Sequence, residues 1–263
     1  MKSLSTSTSK LQGKCAMVTG STSGIGKACA QKLAEAGVNL VLCGRNGEKL
    51  DALKQEFGHY AVTVTTVTFD VRSRQEVERE LAVLLETAEI DILINNAGLA
   101  LGLEPLDGGD VDHWEEMIDA NIKGLLYVSR AVIPQMRRRN RGHVLNIGSI
   151  AGKMTYPGGN VYSATKAAVH ALSEAMNIDL AGTAVRVGNI APGAVETNFS
   201  NTRFSGDDSR ADAVYEGYEP LRPEDIADLA LYILNAPAHV NIQDVLVMPT
   251  AQRNPYVHSR NGE

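Results

Sequence analysis

Tyr162 and Lys166 stand four positions apart in Tyr162-Ser163-Ala164-Thr165-Lys166. On a helix that spacing puts both side chains on one face. An unperturbed tyrosine, with a pKa of about 10, is a poor base at neutral pH. A nearby ammonium favours its phenolate and lowers that pKa. Such a pair could pass a proton to or from a carbonyl or hydroxyl oxygen. Pairs of this kind also occur by chance, so the setting decides. The run Asn146-Ile147-Gly148-Ser149 ends a strand-like apolar stretch thirteen residues before the tyrosine. Its hydroxyl, Ser149, could hydrogen-bond the oxygen that gains or loses the proton.

A second chemical device lies near the N-terminus. Thr19-Gly20-Ser21-Thr22-Ser23-Gly24-Ile25-Gly26 follows an apolar run and leads straight into a helical pattern. Glycines permit a tight turn and close approach of a phosphate, and a helix N-terminus offers free N–H groups and partial positive charge. The spacing is G-x-x-x-G-x-G, not the G-x-G-x-x-G of the common dinucleotide fingerprint. The second strand then ends Leu42-Cys43-Gly44-Arg45-Asn46, without the Asp or Glu that usually meets a ribose 2′-hydroxyl. Arg45 suits a 2′-phosphate that a carboxylate would repel, which selects NADP over NAD. Phe69-Asp70-Val71 could present a carboxylate to the adenine amino group, and Asn95-Asn96-Ala97-Gly98 small residues and an amide to the cofactor. An oxidised nicotinamide beside Tyr162 would favour its phenolate further, and Lys166 could hold the nicotinamide ribose.

The elements that must carry these residues alternate along the whole chain. Candidate strands are Cys15–Thr19, Asn39–Cys43, Val62–Phe69, Asp91–Asn95, His143–Ile147, Ala184–Ile190 and Asp244–Met248. Several are near-continuous apolar runs, as in strands buried on both faces of a parallel sheet. Amphipathic segments lie between them: Gly26–Ala36, Glu48–Phe57, Ser73–Thr87, Asp112–Arg138, Ala164–Leu180 and Glu224–Asn235. The alternation predicts an α/β protein, a single-domain doubly wound (Rossmann) parallel sheet of about seven strands with helices on both faces. Ligands of such sheets bind beyond the C-terminal strand ends, where the polar residues above fall. The predicted limits are a disordered arm over 1–12, the domain over 13–251 with a mobile lid over 194–218, and a tail over 252–263.

Bulk properties narrow the function. With 263 residues, 44% apolar, a net charge of −6 and a pI near 5.6, the chain has the composition of a soluble globular protein. The acidic balance argues against nucleic acid and anionic membranes as partners. The basic run Arg137–Arg141 is expected to be the solvated end of a helix. Cys15, Cys29 and Cys43 lack metal-ligand spacing, which predicts buried thiols, a reducing cytoplasm and no metal site. The Ser/Thr-rich start lacks the apolar core of a signal peptide. No apolar stretch approaches the roughly 18 residues of a membrane span. His170, Trp114 and Tyr127 are expected to be structural.

Together these residues resemble the short-chain dehydrogenase/reductase family. The matching pieces are Thr19–Gly26, Asp70, Asn95–Gly98, Asn121, Ser149, Tyr162, Lys166 and Pro192-Gly193, spread over residues 14–250. The resemblance implies a catalytic set of Asn121, Ser149, Tyr162 and Lys166, with Asn121 helping Lys166 hold a proton-relay water. It implies a cofactor site of Gly20, Thr22, Ser23, Gly24, Ile25, Gly26, Arg45, Asn46, Asp70, Val71, Asn96, Ala97 and Gly98, completed by Tyr162, Lys166, Pro192, Gly193, Val195 and Thr197. The Val195 backbone and the Thr197 hydroxyl would meet the carboxamide. Some NADP-dependent members carry a basic residue where this chain has Ser23, which leaves Arg45 most of the phosphate recognition. A homodimer or tetramer built on Asp112–Arg138 and Ala164–Leu180 is also implied.

Longer stretches, Asn95–Gly102, Gly158–Tyr162, Phe199–Phe204 with Gly206-Asp207-Asp208, and Pro237–Ile242, are similar to the NADP-dependent 3-hydroxy acid dehydrogenases that also oxidise serine. That subgroup implies a small anionic substrate, either a hydroxy acid or its semialdehyde. Such a substrate needs a cation. Arg203 is the candidate; a solvent-facing arginine, or one paired with Asp207 or Asp208, is the alternative. Other carbonyls (sulfoacetaldehyde, a 3-oxoacyl thioester) and a non-catalytic NADP(H) sensor are the competing functions. The tail, with Asn254-Pro255-Tyr256, could reach a neighbouring subunit's site.

Overall fold

A computed structural model describes residues 10–204, 206, 209 and 214–259. Seven strands form one parallel sheet: β1 Cys15–Thr19, β2 Asn39–Gly44, β3 Val64–Thr68, β4 Ile92–Asn95, β5 Gly142–Ile147, β6 Val185–Pro192 and β7 Asp244–Val247. Their order is β3-β2-β1-β4-β5-β6-β7. The order reverses between β1 and β4, which opens a crevice at the C-terminal strand ends, where such sheets bind ligands.

Period-two alternation distributes the inner strands between two cores. Ala16, Val18, Leu40, Leu42, Ile92, Ile94 and Leu145 face one core. Met17, Val41, Cys43, Leu93 and Val144 face the other. Helices α1 Gly24–Glu35 and α2 Gly47–Glu56 cover the first face through Leu33, Leu50 and Leu53. Helix α3 Arg74–Thr87 covers the second through Val77 and Leu81. Each large side chain so buried contributes about 1.5–3 kcal/mol.

The long helix expected over Asp112–Arg138 is three pieces: α4 Val111–Ile118, a π-helical turn Asp119–Gly124, and α5 Leu125–Arg138. Helix α6 spans Asn160–Asp179 and starts four residues before the predicted Ala164, so its first turn includes Tyr162. A short helix, α7 Phe199–Arg203, lies in the segment read as a lid, and α8 Pro223–Asn235 packs beside α1. Residues 205, 207, 208 and 210–213 of that lid lie outside the described residues. Of the arm expected over 1–12, only residues 10–12 are described, and Leu11 belongs to the core, 1% exposed.

The basic run is not simply solvated. Arg139 and Arg141 both pair with Asp91, at 2.9 and 3.0 Å, and with Glu89. They tie the end of α5 to the start of β4. Behind them His143 is 3% exposed, and neither ring nitrogen has a hydrogen-bond partner among the described residues. Burial, aided by the charges of Arg186 and Lys14, pushes its pKa down to about 3. The fold therefore holds His143 neutral, whereas the unfolded chain protonates it below its ordinary value of 6.5. Stability from this site is complete above that value and falls as the pH drops toward 3, by about 1.4 kcal/mol per pH unit. Unfolding midpoints measured along an acid series should fall more steeply for the wild type than for His143→Leu; equal slopes would contradict this.

Candidate active site

The strand ends converge as predicted. One cleft is lined by Gly20, Thr22, Ser23, Gly24, Ile25, Arg45, Asp70, Val71, Asn96, Ala97, Gly98, Ser149, Tyr162, Lys166, Pro192, Gly193, Val195 and Thr197. Gly26, Asn46, Asn121 and Arg203 lie just outside that lining, and each has a different reason.

Gly26 packs beneath the turn: a Cβ there would come within 2.3 Å of the Gly20 carbonyl oxygen. Gly24 adopts φ +51° and faces the Thr197 side chain, so its backbone needs the left-handed region. Thr19, at the head of the motif, locks the turn to β4. Its hydroxyl accepts from the backbone N–H groups of Asn96 and Ala97, both at 3.0 Å. The Asn96 amide donates to the Thr19 and Gly20 carbonyls at 2.9 and 3.1 Å.

Helix α1 differs from its neighbours at its start. Ser23 makes no capping hydrogen bond, and the first turn holds no acid. Helices α2, α3 and α4 each have a side-chain cap and an acid in the first turn. The leading N–H groups of α1 are thus left for a ligand anion. This bare N-terminus in a cradle of small residues fits a dinucleotide pyrophosphate.

Arg45 is exposed at the end of β2 and has no ion pair among the described residues. Asn46 instead caps α2, accepting from the Lys49 N–H at 2.9 Å. Asp70 lines the cleft with its carboxylate held in place: Arg72 grips both its oxygens, at 2.7–3.1 Å, and reaches Glu116 as well. Burial raises the Asp70 carboxyl pKa, but the hydrogen bonds and charge of Arg72, helped by Arg45, outweigh it and hold it below the usual value. No signal in the sequence pointed to Arg72.

The catalytic candidates occupy the β5–α6 corner. A buried polar chain backs it: the Asn95 amide donates to Asn146 and Ser129, and Asn146 donates to Ser173 on α6. The Lys166 ammonium is buried and donates to the Ile147 carbonyl at 2.9 Å; burial pushes its pKa down to about 8. Asn121 uses its side chain structurally, exchanging hydrogen bonds with the Leu99 backbone at 2.8 Å and donating to Thr165 at 3.0 Å. It sits in the π-helical turn, a feature frequent at functional sites.

The expectation that a neighbouring ammonium lowers the Tyr162 pKa needs correction. Burial pushes Tyr162 up to about 12, Tyr156 adds to the rise, and Arg203 and Ser149 oppose it. Lys166 is turned to the strand end instead.

Arg203 lies at the mouth. Its guanidinium carbon is 5.0 Å from the Tyr162 ring centre, 5.6 Å from Tyr156 and 5.7 Å from Phe199. A terminal nitrogen donates to the Tyr156 hydroxyl. Phe199 also packs on Tyr162, with ring centres 5.6 Å apart. Neither Tyr156 nor Phe199 was foreseen, because only the fold brings these loops together.

The described part of the tail makes two contacts with the rim of the cleft. The Gln252 side-chain oxygen accepts from the Ala194 N–H at 2.9 Å, and the Tyr256 hydroxyl donates to the Thr155 carbonyl at 2.8 Å. It braces the Pro192–Thr197 loop against the rim of the cleft.

The short chain dehydrogenase profile matches residues 14–208. The chain belongs to the short-chain dehydrogenase family. This short-chain dehydrogenase is 50% identical over 238 residues to the NADP-dependent 3-hydroxy acid dehydrogenase YdfG of Salmonella typhi, covering 90% of this chain and 95% of that one. It is 43% identical over 238 residues to sulfoacetaldehyde reductase 2 of Chromohalobacter salexigens, covering 90% and 94%. Among solved structures, the closed form of serine dehydrogenase complexed with NADP+ superposes with a TM-score of 0.88 at 45% identity, covering 94% of this chain and 99% of that one. No helix among the described residues is long and apolar enough to cross a membrane.

Proposed function

We propose that this short-chain dehydrogenase, an NADP-dependent oxidoreductase, interconverts a small 3-hydroxy acid such as 3-hydroxypropionate or serine with its 3-oxo acid or semialdehyde, using Tyr162 as general acid/base. The observation that carries the reading is the Arg203 guanidinium, 5.0 Å from the Tyr162 ring centre with no carboxylate partner among the described residues. A cation at the mouth of a catalytic corner suits a short substrate with an acid group at one end and a reacting oxygen at the other. The 50% identity to a 3-hydroxy acid dehydrogenase supports the same substrate class.

The dinucleotide, when bound, gives or takes the hydride. The chain's own residues do the rest. The Gly20–Gly26 turn and the α1 N-terminus hold the pyrophosphate, and Arg45 takes the 2′-phosphate. Lys166 holds the ribose hydroxyls, while the Val195 backbone and Thr197 hydroxyl take the carboxamide. Ser149 hydrogen-bonds the reacting oxygen, and Tyr162 gives it a proton in reduction or accepts one in oxidation. Asn121, whose side chain is already engaged, supports the proton relay beside Lys166 by fixing the Leu99 segment.

A sulfonate matches a carboxylate in charge, so sulfoacetaldehyde is the second substrate to test; a relative of that name is 43% identical. Arg203→Ala should raise the KM of acid substrates by about 10–100-fold, the loss of a hydrogen bond to a charged group. The KM of a neutral aldehyde of the same length should stay unchanged. Equal effects on both substrates, or none on the acid, would overturn the assignment.

A further inference from the structure

The groups that surround Tyr162 come from four elements. Ser149 reaches it from the end of β5, Tyr156 from the rim loop before α6, and Arg203 with Phe199 from α7. Lys166 shares its own helix but gives its ammonium to the Ile147 carbonyl. The other members of this small cluster, Leu99, Ala100, Trp114, Met117, Ala151 and Val161, carry no charge. Among the described residues, the cation set over the tyrosine is therefore Arg203. The same guanidinium has one terminal nitrogen committed to the Tyr156 hydroxyl and a buried Nε without a partner among the described residues. It has donors to spare for one incoming anion.

We propose that Arg203 serves two anions in alternation: the Tyr162 phenolate when it forms with the mouth empty, and the substrate's acid group once the mouth is filled, so that the charge of the substrate shifts the pH at which the general acid ionises. This deepens the reading above and rests on it. An opposite charge within about 4–6 Å favours an ionised group by roughly 1–3 pK units. A carboxylate bound to Arg203 cancels most of that influence, and Tyr162 then retains its proton to a higher pH. A neutral carbonyl leaves Arg203 uncompensated, and Tyr162 then ionises at a lower pH than it does beside a bound acid. Burial drives Tyr162 upward and Arg203 opposes it, as this division of labour requires. Discrimination between acid and neutral substrates would then appear in the alkaline limb of the kcat profile as well as in KM.

The test is a spectroscopic titration that needs no turnover. Tyrosinate absorbance of the NADP+ complex is followed across the alkaline range as wild type minus Tyr162→Phe, so that the other tyrosines cancel. Saturating propionate, a carboxylate without a reacting oxygen, should raise the Tyr162 midpoint by about one unit. In Arg203→Met, which keeps the side chain's bulk without its charge, propionate should not move the midpoint; Arg203→Lys should restore part of the shift. A wild-type midpoint indifferent to propionate, or an equal shift in Arg203→Met, overturns the proposal. Competitive inhibition by propionate separates the two ideas. If Arg203→Met leaves the inhibition constant unchanged, the anion site is elsewhere and both fall. If the constant rises while the wild-type midpoint stays fixed, only the sharing falls.

Discussion

Tyr162→Phe is expected to lower kcat by about 10²–10⁴-fold, the usual contribution of a positioned general acid or base, while leaving NADPH affinity unchanged. The substitution removes one oxygen and keeps the ring. The contacts with Phe199 at 5.6 Å and with the Arg203 guanidinium at 5.0 Å are made by the ring, so the packing of this corner should survive. The groups that would hold the dinucleotide lie mainly on the glycine turn, the end of β2 and the Pro192–Thr197 loop, and none of these depends on the phenol. Because the proton transfer is made only in the transition state, kcat and kcat/KM should fall together. Steady-state rates and NADPH fluorescence titration, run on the same preparation, would check both halves. Retained turnover would sink the proton-transfer role.

Arg45→Asp should reverse the choice between NADPH and NADH. The side chain is exposed at the strand end and has no ion pair among the described residues, so its charge is available to a phosphate. Its loss removes a hydrogen bond to a charged group, about 1.5–3 kcal/mol, and the new carboxylate adds repulsion toward the 2′-phosphate. Asp70, gripped by Arg72, would contribute to the same negative field. The ratio of kcat/KM for NADPH over NADH should drop by about 10²-fold or more. Exposed charges are screened by salt, so the comparison belongs at one low ionic strength. An unchanged ratio would move phosphate recognition from Arg45 to Arg72.

The fold was legible because its signals are local and repeated. Most strands are apolar runs of buried residues, and the helices between them show the expected spacing, so all seven predicted strands have counterparts in one parallel sheet. The site was legible where chemistry is written at a strand end: Gly20–Gly26, Ser149, Tyr162 and Lys166 meet in one cleft. What the sequence could not reveal are partnerships across loops. Nothing near Tyr156 in the chain announces that it will meet Arg203, forty-seven positions away. Arg72 claims Asp70 through a turn geometry that spacing does not encode, and Gln252 finds Ala194 from fifty-eight positions away. The direction of the Tyr162 shift escapes spacing for a related reason. Spacing located the ammonium of Lys166, but burial and the Ile147 carbonyl decide where its charge acts.

The central claim is that this cleft reduces small anionic carbonyls with NADPH. The most direct measurement is kcat/KM for NADPH oxidation against malonic semialdehyde, sulfoacetaldehyde, a 3-oxoacyl thioester and a neutral aldehyde of matched length. The account predicts the highest value for malonic semialdehyde, with sulfoacetaldehyde next and the neutral aldehyde well below both. A preference for the thioester or the neutral aldehyde, or no oxidation with any of the four, would contradict it.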